Sequence, residues 1–240
     1  MEMEISKSDR KLAILVDPDK WSSVDQMADL VQAIKVSGPD FILVGGSLIT
    51  NDLFESTIEY LKDQLDLPVI IFPGNGFQIS SNADGILLLS LISGRNPEFL
   101  IGQHVIAAPK LARSGIQIIP TGYMLIDGGN VTAAAYMSNT QPIPYDKNEI
   151  AACTALAGEQ LGMQLIYMDG GSGALTSIST DMIKSVASST KIPLVIGGGV
   201  KSLQEAQEKW DAGANLVVIG TAIENNLSLL KYLTRSVPET

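Results

Sequence analysis

The chain has 240 residues, 45% hydrophobic and 18% charged, a balance that fits a folded protein rather than a disordered one. Sixteen Lys and Arg against 26 Asp and Glu give a formal net charge of −10, which argues against nucleic-acid binding or membrane attachment through a broad basic face. A single cysteine, Cys153, and a single histidine, His104, exclude an intramolecular disulfide and any metal site built from several of either.

The first residues, Met1 to Lys11, contain Glu2 and Glu4 and no long apolar run, so they do not read as a signal peptide. The longest apolar run, Gly85 to Ile92, falls far short of the ~20 residues that span a bilayer. A cytoplasmic protein is expected, with any lipid handled in a pocket or groove. Along the chain, short runs the length of buried strands recur at Leu12–Val16, Phe41–Val44, Val69–Phe72, Gly85–Leu89, Ile116–Ile119, Gln164–Met168, Leu194–Ile196 and Leu216–Ile219. Most are apolar on both faces, as strands of a covered parallel sheet are.

Segments with helical spacing separate most of them. Val24, Met27, Ala28, Val31 and Ile34 form one apolar stripe, and Leu53, Ile58, Leu61 and Leu65 form another. Further helices are expected over Leu100–Leu111, Ile150–Leu161, Met182–Val186, Leu203–Trp210 and Ile223–Leu233. Such alternation within 240 residues predicts an α/β fold, a (β/α)8 TIM barrel of the usual ~250 residues, with an open doubly wound sheet as runner-up. Two stretches break the rhythm. Phe72 to Gly85 is too short and turn-rich for a helix, so the third helix is expected to be irregular or missing. Asn130 to Asn148 is a polar excursion that reads either as a cap over a site or as a surface loop. With no linker in view, residues 1–240 are taken as a single domain.

Barrel chemistry gathers at the C-terminal ends of strands. Here those ends read Asp17-Pro18-Asp19-Lys20, Gly45-Gly46-Ser47, Tyr167-Met168-Asp169-Gly170-Gly171-Ser172-Gly173, Gly197-Gly198-Gly199 and Gly220-Thr221. Glycines at such turns let backbone N–H groups face an anion. Gly198, Gly199, Gly220 and Thr221, joined by Ser172 and Gly173, therefore point to a phosphate seat; tight turns alone are the plainer reading. Asp17 and Ser47, on neighbouring strands, suit Mg²⁺, although Asp17 before Pro18 also reads as a helix-start cap. Asp169 follows a buried strand and is the candidate to bind or deprotonate a substrate hydroxyl, with Asp127 as a competing acid. Lys20, Arg95 and Lys201 are the candidate local cations. His104 reads as a packing or surface residue more readily than a catalyst, and Cys153 as a small buried one.

In combination, these motifs resemble the geranylgeranylglyceryl phosphate synthases and their heptaprenylglyceryl relatives, over about residues 10–235. The stretch Ser90–Pro109, with Gly94-Arg95-Asn96-Pro97, adds to the likeness, and the family's barrel lacks a regular third helix. The resemblance implies a prenyltransferase that joins a polyprenyl diphosphate to the 3-hydroxyl of sn-glycerol 1-phosphate and releases diphosphate. It implies Asp17 and Ser47 as Mg²⁺ ligands. Tyr167, Met168, Asp169, Gly170, Gly171, Ser172, Gly173, Gly198, Gly199, Gly220 and Thr221 would bind glycerol 1-phosphate, with Asp169 and Tyr167 catalytic. It also suggests a homo-oligomer, dimer or hexamer, with Phe99 either an interface aromatic or buried within the subunit. Leu15, where some members carry Lys, resembles the family's second sequence group. Asp169 stands where the family usually has Glu. Candidates for the prenyl channel are Phe77, Ile79, Leu88, Leu91, Ile92, Tyr123 and Leu125. The rival readings are a sugar-phosphate isomerase or lyase, pairing Asp17 with Asp127 or Asp169, and a non-catalytic barrel that binds a phosphorylated metabolite.

Overall fold

The computed structural model describes residues 1–225. Eight parallel strands close into a barrel in sequence order: β1 (Lys11–Val16), β2 (Phe41–Val44), β3 (Val69–Ile71), β4 (Gly85–Leu91), β5 (Gln117–Leu125), β6 (Leu165–Asp169), β7 (Leu194–Gly197) and β8 (Leu216–Ile219). The ring closes where β1 pairs with β8, from Lys11 opposite Leu216 to Ile14 opposite Ile219. Both strand faces are apolar because each packs against something. In β2, Phe41 and Leu43 fill the barrel interior, while Ile42 and Val44 join the layer shared with the surrounding helices. Met3 belongs to the interior cluster as well, and its N–H donates to Gln117 Oε1 at 2.8 Å, so the N-terminal segment plugs the barrel's lower end.

The helices are α1 (Ala28–Ser37), α2 (Phe54–Gln64), α3 (Gln103–Ser114), α4 (Ala133–Ser138), α5 (Asn148–Gln160), α6 (Thr180–Ser189), α7 (Leu203–Asp211) and α8 (Thr221–Asn225). The helix expected over Ile223–Leu233 falls largely outside the described residues. The first predicted stripe divides into a 3-10 turn, Val24–Met27, and α1, which ends at Gly38 in the left-handed region. β5 runs well past its apolar run because Pro120, Thr121 and Gly122 continue the ladder, with Pro120 opposite Leu88.

No helix lies between β3 and β4, as the turn-rich stretch predicted. The outward faces of Ile86 and Leu88 on β4 therefore border a groove, with Ala107 and Leu111 of α3 among its other walls. A π-helical turn, Glu98–Gly102, leads into α3. The Asn130–Asn148 excursion contains α4 and returns beside β5, where Asp127 N–H donates to Ile143 O and Ile143 N–H to Leu125 O, both at 2.9 Å. Among the described residues, no helix is long and apolar enough to cross a membrane.

Candidate active site

A cavity of about 570 Å³ opens at the C-terminal end of the strands, and its wall draws on the connections after β1, β2, β5, β6, β7 and β8. Strand alternation decides what faces it. Tyr167 and Asp169 point inward from β6, whereas Met168 between them points outward and is fully buried among the helix-side residues. Of the predicted site, Asp17, Ser47, Tyr167, Asp169, Gly171, Ser172, Gly173, Gly198, Gly199, Gly220 and Thr221 all line this cavity. Met168 and Gly170 do not. The Gly170 N–H is committed to Gly197 O at 3.0 Å, which ties the ends of β6 and β7 together.

The rim of strands six to eight is built from backbone. Gly171, Gly173, Gly198 and Gly199 all adopt left-handed φ between 73° and 87°. A Cβ at Gly198 would stand 2.5 Å from Gly171 N and 2.7 Å from Asp169 Oδ1, and one at Gly171 would stand 2.3 Å from Thr132 Cγ2. Among the described residues, the N–H groups of Ser172, Gly173, Gly199 and Gly220 have no protein acceptor. Ser172 Oγ and Thr221 Oγ1 lie 3.0 Å apart and link the first and last of these three turns. Unpaired amides, two hydroxyls and the start of α8 thus converge where an anion can be held.

Asp169 is buried, and both its oxygens are engaged. Oδ1 accepts from Gly171 N–H at 2.7 Å and Oδ2 from the Tyr123 hydroxyl at 2.5 Å. Burial raises its pKa above the ordinary carboxylate range, and the two hydrogen bonds pull against that rise. Tyr123 and Tyr167 are pushed well above the ordinary phenol value by burial and then by the Asp169 charge, so both remain protonated donors. The rings form a cluster: Phe72 stacks on Tyr167 with centroids 4.9 Å apart, and Tyr123 meets Phe72 edge-on at 5.9 Å. Tyr123 was expected only as a channel residue. Its register opposite Tyr167, on an inward position of the neighbouring strand, is the signal that could have placed it beside Asp169.

Across the cavity, Asp17 does two jobs. Oδ1 accepts from Asp19 N–H at 3.0 Å, capping the turn Pro18–Lys20 as the plainer reading had it. The carboxyl also lines the cavity, half-buried, and burial raises its pKa against the pull of Asp19 N–H and Lys20. Gly46 leaves room for it, since a Cβ there would come within 3.1 Å of its oxygens. Asp19 fastens this loop to the next by accepting from Thr50 and Asn51 N–H. Among the described residues, no cluster of three or more His, Cys, Asp or Glu could hold a metal. A hard ion here would draw on Asp17, Ser47, water and substrate oxygens.

Other expectations sort clearly. Asp127 is exposed, caps its own turn through Gly129 N–H at 2.9 Å, and lines neither cavity. Lys20 and Lys201 line the mouth, but Arg95 turns to outer clefts and donates to Gly94 O at 2.7 Å. Cys153 is exposed on α5 rather than buried. The apolar groove shares Gly46, Ser47, Phe72, Tyr123 and Ala134 with the mouth cavity, so the two adjoin along a common wall. Ile79, Leu88, Leu91, Tyr123 and Leu125 line the groove; Phe77 and Ile92 do not. Phe99 lines it too, packed within the subunit. His104 borders the groove, with Nε2 at 2.9 Å from Ser90 Oγ. The polar excursion caps both spaces through Ala134 on α4.

Fold and cavity together place the molecule among the (β/α)8-barrel enzymes that work at the C-terminal mouth of their strands. More narrowly, the chain belongs to the PcrB family, whose model matches residues 3–237. It is 49% identical over 230 residues to the geranylgeranylglyceryl phosphate synthase of Spirosoma linguale, covering 96% of this chain and 92% of that protein. It is 46% identical over 232 residues to the synthase of the same name from Chitinophaga pinensis, covering 97% and 92%. Among solved structures it superposes with a TM-score of 0.88 on (S)-3-O-geranylgeranylglyceryl phosphate synthase from Thermoplasma acidophilum in complex with sn-glycerol-1-phosphate, at 30% identity over 95% of this chain and 92% of that one.

Proposed function

We propose that this protein is a prenyltransferase that joins a polyprenyl diphosphate to the 3-hydroxyl of sn-glycerol 1-phosphate. The observation that carries the reading is that an amide-lined polar seat and an apolar groove lie side by side, sharing one aromatic and glycine wall. A sugar-phosphate isomerase has no use for such a groove, and Asp127, one of the partners that reading offered Asp17, faces solvent.

In this reading the free amides of Ser172, Gly173, Gly199 and Gly220, with the Ser172 and Thr221 hydroxyls, hold the phosphate of glycerol 1-phosphate. Tyr167 and Asp169 face its glycerol part. The prenyl tail lies in the groove, which places the allylic carbon near the shared wall and makes orientation a large part of catalysis. The glycerol oxygen bonds to that carbon as the carbon–diphosphate bond breaks. The hydroxyl proton passes to the Asp169 carboxylate, and diphosphate leaves with the bonding pair.

Asp17 and Ser47 offer hard oxygen donors, and the poorly solvated Asp17 carboxylate gains from a cation beside it, so the pair fits Mg²⁺. When bound, the ion would stabilise charge on the departing diphosphate.

The test is product formation from radiolabelled glycerol 1-phosphate and prenyl diphosphates of several lengths, read as label extracted into organic solvent. No extractable product at any length, with Mg²⁺ present, overturns the reading. Asp17→Ala is expected to lose Mg²⁺-dependent turnover, and a variant that keeps it refutes the metal assignment.

A further inference from the structure

One set of the large apolar side chains left in solvent lies at the mouth of the barrel; a second, with Val105 67% and Leu161 74% exposed, lies on α3 and at the end of α5. Val131 is 83% exposed, Tyr136 78%, Phe77 75% and Leu175 68%, and Leu48 and Met137 are also exposed. They sit on the connections that follow β2, β3, β5 and β6, around the mouth. Isolated exposed apolar residues are ordinary, but a ring of them on four separate loops at one face is not.

The four loops that carry the mouth set are themselves uncharged. Residues 44–51, 72–83, 128–145 and 170–180 contain no Asp, Glu, Lys or Arg, in a chain that is 18% charged with a net charge of −10. Asp17, Lys20 and Lys201 line the mouth between these stretches, and Asp127 is exposed beside one of them, so the neutral surface is confined to the four loops themselves. A strongly acidic protein is repelled by anionic lipid headgroups unless it presents a neutral face. The apolar groove reaches these loops as well, since Gly76, the neighbour of Phe77, and Met137, the neighbour of Tyr136, both line it.

From these features we infer that the four uncharged loops at the mouth form a docking surface for a lipid bilayer, through which the groove takes its chain directly from the membrane. Phe77 and Tyr136 act as interfacial aromatics, with Val131, Leu175 and Leu48 inserted beside them. The attachment is apolar rather than electrostatic, so it does not depend on a basic face. The inference that the chain enters from the bilayer rests on the prenyltransferase reading; the docking itself does not.

The experiment is co-sedimentation of the whole protein with vesicles of phosphatidylcholine alone and of phosphatidylcholine with phosphatidylglycerol, at low and high salt. The protein is expected to bind both vesicles with little change on adding salt. The triple variant Phe77→Ser, Val131→Ser, Tyr136→Ser is expected to partition about tenfold less. None of the three lines the cavity or groove, so its turnover of a short, water-soluble allylic diphosphate should equal that of the parent. Phe77→Trp should show fluorescence quenching by vesicles of brominated lipid. Absence of vesicle binding by the parent protein overturns the inference, as does binding that needs anionic lipid and vanishes in salt, or binding that the triple variant retains in full. Self-association that the triple variant abolishes, without vesicle binding, assigns these loops to a second copy and also overturns it. Vesicle binding that passes these tests, without turnover of any allylic diphosphate, sustains the docking surface while removing the catalytic reading.

Discussion

Tyr123→Phe isolates one hydroxyl at the centre of the site. It removes the donor to Asp169 Oδ2 at 2.5 Å while leaving the ring that packs on Phe72 and Tyr167. A hydrogen bond to a charged group is worth about 1.5–3 kcal/mol. For a domain of this length such a loss lowers Tm by about 3–12 °C. The bond is made to the carboxylate, so losing it favours the protonated acid and raises a pKa that burial already lifts. Two pH consequences follow. Asp169 acts as a base only when ionised, so the acid limb of kcat/KM against pH should move to higher pH. Stability runs the other way: the contribution of a carboxyl whose folded pKa is raised is fully present below its unfolded pKa and is lost as pH rises through the folded value. The variant should therefore lose most stability on the alkaline side of that transition. Initial rates and thermal melts across the pH range read both effects. An unshifted acid limb together with an unchanged Tm would show that Tyr123 does not hold the Asp169 carboxylate, and the reasoning would fall. In an Asp169→Asn background the same Tyr123→Phe change should move turnover much less, because the two residues share one interaction.

Asp169→Asn alone should reduce turnover by about 10²–10⁴-fold, the usual contribution of a general base, and unchanged single-turnover rates would remove it from that role. Gly198→Ala places a Cβ 2.5 Å from Gly171 N at a left-handed φ of 78°, so KM for glycerol 1-phosphate should rise and Tm should fall; an unaffected KM would separate the turn from the seat. Gly46→Ala presses on the Asp17 carboxyl at 3.1 Å and should raise the Mg²⁺ concentration needed for half-maximal activity without a large change in Tm, as metal titrations would report.

The barrel was legible because both faces of its strands are apolar, and that signal survives without knowledge of neighbours. Where it faded, the strand's limits were misjudged: Pro120-Thr121-Gly122 interrupts the apolar run of β5 yet continues its ladder. The missing helix was legible as well, because Pro73, Gly74, Asn75 and Gly76 favour turns over a helix. Site positions flanked by glycine could be read as mouth residues, but strand parity needed more care. It is parity that turns Met168 outward between two inward neighbours. Cys153 was misplaced because an exposed cysteine carries no sequence mark that distinguishes it from a buried one. Contacts between strands were the least accessible. Nothing local to Tyr123 announces its partner on β6, and nothing local to Gly46 announces the carboxyl just after β1 for which it leaves space.

The aspartate at position 169 shows how such long-range contacts decide chemistry. It stands one methylene shorter than the glutamate its motif resembles, and the shorter side chain is held by the turn that follows it, through Gly171 N–H at 2.7 Å. That anchor needs Gly171 at a φ of 87°, a conformation the glycine supplies without strain. Tyr123 fixes the other oxygen from the neighbouring strand. Two hydrogen bonds occupy about half of the roughly four acceptor positions of a carboxylate. The remaining lone pairs can still take a hydroxyl proton, from a side chain that no longer moves. The length lost relative to glutamate is thus exchanged for rigidity. If Asp169 is the base, as proposed, the substrate seat must bring the hydroxyl to it, and the glycine turns of β6 and β7 are in direct contact with its carboxylate. In the proposed reaction, phosphate capture and proton removal are then set by the same backbone. This is why a single Cβ at Gly198 is expected to disturb both.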